Sequence, residues 1–404
     1  MGVTGDSPGA AARNPHDQRD LVVRNIGRLT TWNGPDVERA AVVIQGGYVS
    51  WTGVDRLLPV GLPEIEEYDA AGAAVLPGFV DSHTHAVWAG SRRDDFVGRL
   101  SGEGYQPGGI MTTVDATRAA TDEELLALAA QRVADMQRNG TTTVEVKSGY
   151  GLTVDDELRI LRVAGELQGP RVTRTYLGAH VVPSGRDRAD YVDEVVATVP
   201  RAKEAGAQWC DVFCDEGAFT VDEARRILSA AQAAGLGTRI HAEQIAHTGA
   251  ARLAAELGSA SADHLDNVTA EDAQALAAAG VVATLVPVVS LYSRSMRWDH
   301  ARTLLDAGCT LAIATDCNPG TAWCESMPYA MQLACLAIGL PVETVLRAAT
   351  LGGAAALRRT DIGNLSVGAR GDLVVVNSDH PADLLGHLGA MVVSRTVVGG
   401  CPNG

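Results

Sequence analysis

The chain has 404 residues, 46% of them hydrophobic, which is room for one large core and a smaller one. Its formal charge of −16 argues against nucleic acid or an anionic membrane surface as the main partner, but not against a small anion met by one or two local cations. Seven cysteines, an odd number with no paired framework, fit a reduced, cytoplasmic protein. Cys210 and Cys214 read as buried thiols rather than half of a metal site, because no second pair stands at finger-like spacing.

Residues 1–18 are small, polar and broken by Pro and Gly, as in a flexible terminus without a signal-peptide core. No later run approaches a membrane span. From Asp20 to about Ala74 the pattern is short and β-like, punctuated by Asn33-Gly34 and Gly46-Gly47. The same texture returns near the end in "GDLVVVN" and "VVSRTVVGG". Segments 19–74 and 355–404 are therefore expected to build one composite β-sandwich domain around a different middle.

Residues 75–354 alternate. Apolar runs recur at "VLPGFVDSH", "TTTVEVK", "RVTRTYLGAH", "QWCDVFCDE", "GTRIHAE", "ASADH", "VVATLVP" and "CTLAIATD". Helix-like segments with readable ends lie between many of them. Thr121 with Glu124 and Thr220 with Glu223 form capping boxes, closed by Gly140 and Gly235; Thr269 with Asp272, closed by Gly280, is a weaker version. Eight buried strands with interposed helices predict an α/β fold, a (β/α)8 TIM barrel rather than an open sheet.

Active sites of such barrels lie at the C-terminal ends of the strands. Here those ends carry His83 and His85, Lys147, His180, Asp215 with Glu216, His241 with Glu243, His264 and Asp316. Residues two apart on a strand face one side, so His83 and His85 can share a metal ion, with His241 adding a nitrogen and Asp316 an oxygen. His264 reads as a fourth ligand or as an acid/base group beside the metal. Lys147 reads either as a carbamylated bridge between two metals or, preferably, as a charged residue contacting a loop or substrate.

The motifs "PGFVDSHTH", "HAVWAGSRRDDF", "GGIMTTVDATR", "EVKSGYGL", "LGAHVVP", "DVFCDEGAF", "HAEQIAHTGAARLAAELGSASADHL", "TDCNPGT" and "ALRRTDIGNLSVGARGDLVVV" stand in one order over residues 20–400. In this the chain resembles the amidohydrolase superfamily and, more narrowly, its imidazolonepropionase family. The resemblance implies a distorted (β/α)8 barrel with a β-sandwich from both termini. It implies one divalent or trivalent metal ion, Zn or Fe, held by His83, His85, His241 and Asp316. It places His264 near the reacting centre and carries over Arg92, Tyr150, His180 and Asn318 as substrate contacts. The implied reaction is hydrolysis of the ring amide of 4-imidazolone-5-propanoate to N-formimidoyl-L-glutamate in histidine degradation, by a homodimer in the cytoplasm.

Chemically, Asp316 can accept a proton from water and return it to the departing nitrogen, while His264 or His180 stabilises the oxyanion. Arg92 offers a planar fork for the propanoate tail, or else pairs with Asp94 or Asp95 at the surface. Tyr150, in "SGYG", can add a phenolic hydrogen bond. Gln244 departs from relatives that carry glutamate; it cannot take a proton but can orient water or substrate. Pro107 is expected to stiffen a Gly-rich loop over the substrate. Another cyclic amidohydrolase or aminohydrolase would share the metal residues and differ in the pocket. A metal-free interaction protein would be expected to have lost ligands that are all present here.

Overall fold

The computed structural model describes residues 19–63, 65–101, 109–295 and 298–403. The terminus at 1–18 and Pro107 lie outside the described residues. Five strands come first: β1 (Leu21–Leu29), β2 (Val37–Gln45), β3 (Tyr48–Val54), β4 (Glu66–Asp69) and β5 (Ala74–Pro77). The barrel strands follow: β6 (Phe79–Asp81), β7 (Thr141–Lys147), β8 (Arg171–Ala179), β9 (Trp209–Cys214), β10 (Gly237–Ala242), β11 (Ser261–His264), β12 (Val282–Leu285) and β13 (Leu311–Ile313). The chain then returns to the first sheet with β14 (Leu373–Val376), β15 (Val393–Val398) and β16 (Cys401–Pro402).

The two ends of the chain share a mixed sheet in the order β16-β15-β14-β5-β1-β2-β3, with β4 also pairing β1. One edge of β1 serves two partners in turn. Leu21–Arg24 run parallel to β4, and Arg28–Leu29 run parallel to β5. A register shift between Val23 and Ile26 bends the strand where the change occurs. Leu21, Val23, Ile26, Val42, Ile44, Leu373, Val375 and Val397 form the core of this unit.

One expectation needs correction. The run Val75–His83 is two strands, not one. Its first part, β5, pairs with β1 and β14 in the terminal sheet, and only β6 enters the barrel. The changeover falls at Gly78, whose N–H donates to Asp372 O at 2.9 Å and where a Cβ would meet Thr142 Oγ1 at 2.2 Å. Proline before it and this crowding leave no regular strand through the junction.

The eight barrel strands pair in parallel in chain order from β6 to β13. Both expected capping boxes form, at Thr121–Glu124 and Thr220–Glu223, and Thr269 Oγ1 accepts from Asp272 N–H. Closure between β6 and β13 is made just past the strands. Asp316 N–H donates to His83 O and His85 N–H to Cys317 O, both at 3.0 Å. Below them Asp81 Oδ1 accepts Thr315 N–H at 3.1 Å and Oδ2 accepts the Thr315 hydroxyl at 2.6 Å. The seam thus runs through the segments that carry His83, His85 and Asp316.

The helical segment Ala348–Ala356 packs on β6, β12 and β13, and its glycines touch strand backbone. A Cβ at Gly353 would stand 2.2 Å from Val80 O, and one at Gly352 would stand 2.0 Å from Leu311 O. We predict that Gly353→Ala lowers stability by about 1–3 kcal/mol through overpacking, despite alanine's better helix propensity. An unchanged thermal midpoint would show that this helix does not bear on β6 as described.

Candidate active site

His83 and His85 leave β6, His241 lies on β10, His264 ends β11, and Asp316 follows β13. All five are buried, at most 3% exposed. The Nε2 atoms of His83 and His85 lie 3.5 and 3.3 Å from Asp316 Oδ1, and His264 Nε2 lies 3.9 Å from Oδ2. The His83 ring centre is 4.5 Å from that of His241 and 5.4 Å from that of His264. Glu243, His264 and Asp316 have φ of 55°, 78° and 49°, a left-handed conformation costly outside glycine. Three strand ends thus depart from regular backbone at the site.

The donor set fits a metal ion. His83 Nε2, His241 Nε2, both nitrogens of His264 and Asp316 Oδ1 are buried without a hydrogen-bond partner among the described residues. His83, His85 and His241 can bring ligand atoms within 4.8 Å of one another, as can His83, His264 and Asp316. Burial, chiefly, keeps His83 and His85 well below the usual imidazole pKa, and pushes His264 down to about 4. Neutral rings with inward lone pairs are what a cation requires. Burial also raises the Asp316 carboxyl, opposed by His264 and His241.

The strand interiors supply residues that the sequence reading missed. Asp263 Oδ2 lies 2.6 Å from His83 Nδ1, and Asp211 Oδ1 lies 3.1 Å from His241 Nδ1. Burial raises both carboxyls, yet Arg239 and Lys147 outweigh it at Asp263, as His241 and Lys147 do at Asp211. Ionised, each accepts the Nδ1 proton and turns the Nε2 lone pair inward. The Lys147 ammonium contacts neither loop nor open space. It is fully buried, 2.9 Å from Glu145 Oε1 and 2.8 Å from Asp211 Oδ2. A charged residue inside an apolar barrel strand was the available signal, at Glu145, Asp211, Arg239 and Asp263 alike.

The predicted substrate contacts surround this centre. His180 stacks on His85 at 5.3 Å, and the Tyr150 ring lies 5.8 Å from His85 and 5.5 Å from His180. His180 Nδ1 is 2.9 Å from Gly149 O; a carbonyl only accepts, so Nδ1 carries the proton and Nε2 the lone pair. Burial, with His85 and His241 next, lowers His180 to about 3. Arg92 pairs with Asp95, one of the two acidic partners expected for it, but is buried rather than at the surface. A Cβ on Gly320 would lie 3.3 Å from Arg92 Nη1 and 3.4 Å from Asn318 Oδ1, so Arg92 and Asn318 flank one turn. The Asn318 amide is spent within that turn, accepting from Gly320 and Thr321 N–H and donating to Asp316 O.

Three carboxylates fix the loops. Glu157 accepts from the N–H groups of Gly149, Gly151 and Leu152, holding the Tyr150 loop. Asp215 accepts from Gln244, Ile245 and Ala246 at 2.6, 3.0 and 3.0 Å. Glu243 accepts from Thr248, Gly249 and Ala251. Gln244, half-buried, is therefore held through its backbone directly after β10.

Comparison with known proteins gives first the class. Residues 74–401 match the amidohydrolase family. Imidazolonepropionase of Salinispora arenicola is 48% identical over 95% of this chain and 98% of its own length. That of Mycolicibacterium smegmatis is 43% identical over 94% and 96%. The chain belongs to the amidohydrolase family, on its imidazolonepropionase branch. Solved structures share the fold: an adenosine deaminase from Xanthomonas campestris with bound zinc (21% identity, TM-score 0.71, 96% of this chain and 93% of that one) and the A. niger ochratoxinase (16%, TM-score 0.73, 95% of each).

Asp215→Ala removes charge-assisted bonds worth about 1.5–3 kcal/mol each from the Gln244 loop. Amide exchange at 244–246 is expected to quicken roughly 100-fold while the barrel strands stay protected. Unchanged exchange would mean that Asp215 does not hold this loop.

Proposed function

We infer that this chain hydrolyses the ring amide of 4-imidazolone-5-propanoate to N-formimidoyl-L-glutamate, a step of histidine degradation. The observation that carries this is the near full-length likeness to imidazolonepropionases, joined to a buried centre of four imidazoles and one carboxylate. His83, His85, His241 and Asp316 would hold one metal ion, Zn or Fe. Such an ion lowers the pKa of a water toward about 7 and polarises a carbonyl.

The protein's own groups carry the proton and position the substrate. Asp316 takes the proton of the attacking water and delivers it to the ring nitrogen as the carbon–nitrogen bond breaks. The oxyanion falls to His264 rather than His180. His264 has both ring nitrogens uncommitted and so has an N–H to donate, whereas His180 presents a lone pair at Nε2. His180 instead accepts from a ring N–H of the substrate. Arg92 receives the propanoate, with Tyr150 beside it, and Asn318 shapes the turn that faces the tail. Gln244 orients water or substrate by hydrogen bonds and moves no proton.

The same reading takes segments 19–74 and 355–404 as one domain, whose sheet β5 extends to Pro77, and the remainder of 75–354 as another, and the working form as a cytoplasmic homodimer without nucleic-acid or membrane partners. All seven cysteines are free, in keeping with a reducing compartment, and among the described residues no helix is long and apolar enough to cross a membrane.

Freshly prepared imidazolone propanoate is expected to yield N-formimidoyl-L-glutamate, with turnover lost on chelation and restored by Zn or Fe. Metal-loaded protein that leaves this substrate untouched would direct the search to other cyclic amides on the same centre. Arg92→Gln is expected to raise KM about 10- to 100-fold with kcat little changed, since a charge-assisted tail contact is made alike in ground and transition states. A fall confined to kcat would remove Arg92 from the tail.

A further inference from the structure

Lys147 is a fully buried lysine that the proposed chemistry does not use. Its ammonium binds Glu145 Oε1 at 2.9 Å and Asp211 Oδ2 at 2.8 Å, with Asp263 Oδ2 at 4.0 Å. Each of these carboxylates continues to a different part of the centre. Glu145 Oε2 accepts Thr84 N–H at 3.2 Å, and Thr84 separates His83 from His85. The Lys147 N–H and the Glu145 carbonyl hold the Thr84 carbonyl and hydroxyl at 2.9 and 2.7 Å. Asp211 Oδ1 meets His241 at Nδ1, and Asp263 meets His83 at Nδ1. Lys147 therefore stands behind the rings, on the side away from the converging Nε2 atoms.

We propose that Lys147 is a positioning residue of the metal centre: tethered to Glu145 and Asp211, its ammonium sets the placement of Thr84, and so of His83 and His85, together with that of His241, without binding the ion. This rests on reading the site as a metal centre. A bare lysine in this role excludes the carbamylated, metal-bridging form, because Nζ is held as an ammonium by a hydrogen bond to Glu145 and an ion pair with Asp211. Two effects of removing the charge have opposite signs. Loss of an ammonium near a cation site relieves repulsion and tightens binding; loss of the tether loosens the imidazoles and weakens it. The direction of the change separates them.

The probe is Co(II), added to metal-free full-length protein in competition with a chromophoric chelator, with the visible absorption of the bound ion recorded alongside. Wild-type protein is expected to bind one Co(II) per chain and to show no carbon dioxide adduct in its intact mass. Lys147→Met is expected to bind 10- to 100-fold more weakly, with an altered visible band. Unchanged or tighter binding with the wild-type band overturns the proposal, as does a carbamate on Lys147 with two ions per chain. Because an unpaired buried carboxylate can prevent folding, Lys147→Met/Glu145→Gln, which leaves net charge unchanged, is measured too. It should bind at least 10-fold more weakly than wild type, since Asp211 still lacks its tether. Wild-type affinity in that double variant would mean that charge balance alone matters and overturns the proposal. Wild-type protein that takes up no Co(II) would instead remove the metal reading, a distinguishable failure.

Discussion

Everything in this molecule answers to one constraint: His83, His85, His241 and His264 lie together with Asp316, all five side chains buried. Nitrogen lone pairs brought together without solvent are costly unless a cation joins them, and useless to a cation if the rings protonate or turn. Burial meets the first danger at His83, His85 and His264 by holding their imidazoles below the usual range. Asp211 and Asp263 meet the second by taking the Nδ1 protons of His241 and His83. Those anions need countercharge in turn, and Lys147 and Arg239 provide it from within the strands. Each layer exists because of the one inside it.

The loops obey a related rule at lower charge density. Glu157, Asp215 and Glu243 gather backbone N–H groups that a tight turn cannot pair by itself. Irregular backbone around Tyr150 and Gln244 thereby gains fixed geometry without being part of a helix or strand. The two residues are then carried on loops that behave as rigid elements.

Much of this was legible from the chain. The alternation of apolar runs and capped helices announced the barrel, and ionisable groups at run ends announced the site. Val75–His83 misled because apolar character continues through Pro77 and Gly78, whereas the backbone changes sheets there. Asp211, Asp263, Glu145 and Arg239 were overlooked because they lie inside the runs, where attention goes to the hydrophobic neighbours. Their role depends on which strands become adjacent, and Lys147 meets Asp211 only after β8 has been placed between their strands. Asn318 shows the opposite limit. Its amide type suits a substrate contact, but only the turn geometry reveals that its hydrogen bonds are already spent.

The sheet shared by the two ends of the chain has a consequence for synthesis on the ribosome. β1, β2 and β3 can pair as soon as they emerge, being neighbours in sequence. β5 receives its other partner, β14, only when the chain has grown from Pro77 to Leu373. Until then one edge of β5 is an open template for pairing with any strand nearby. Nascent chains of this protein therefore carry an unsatisfied β edge throughout the synthesis of all eight barrel strands, and β14 is the strand that seals it.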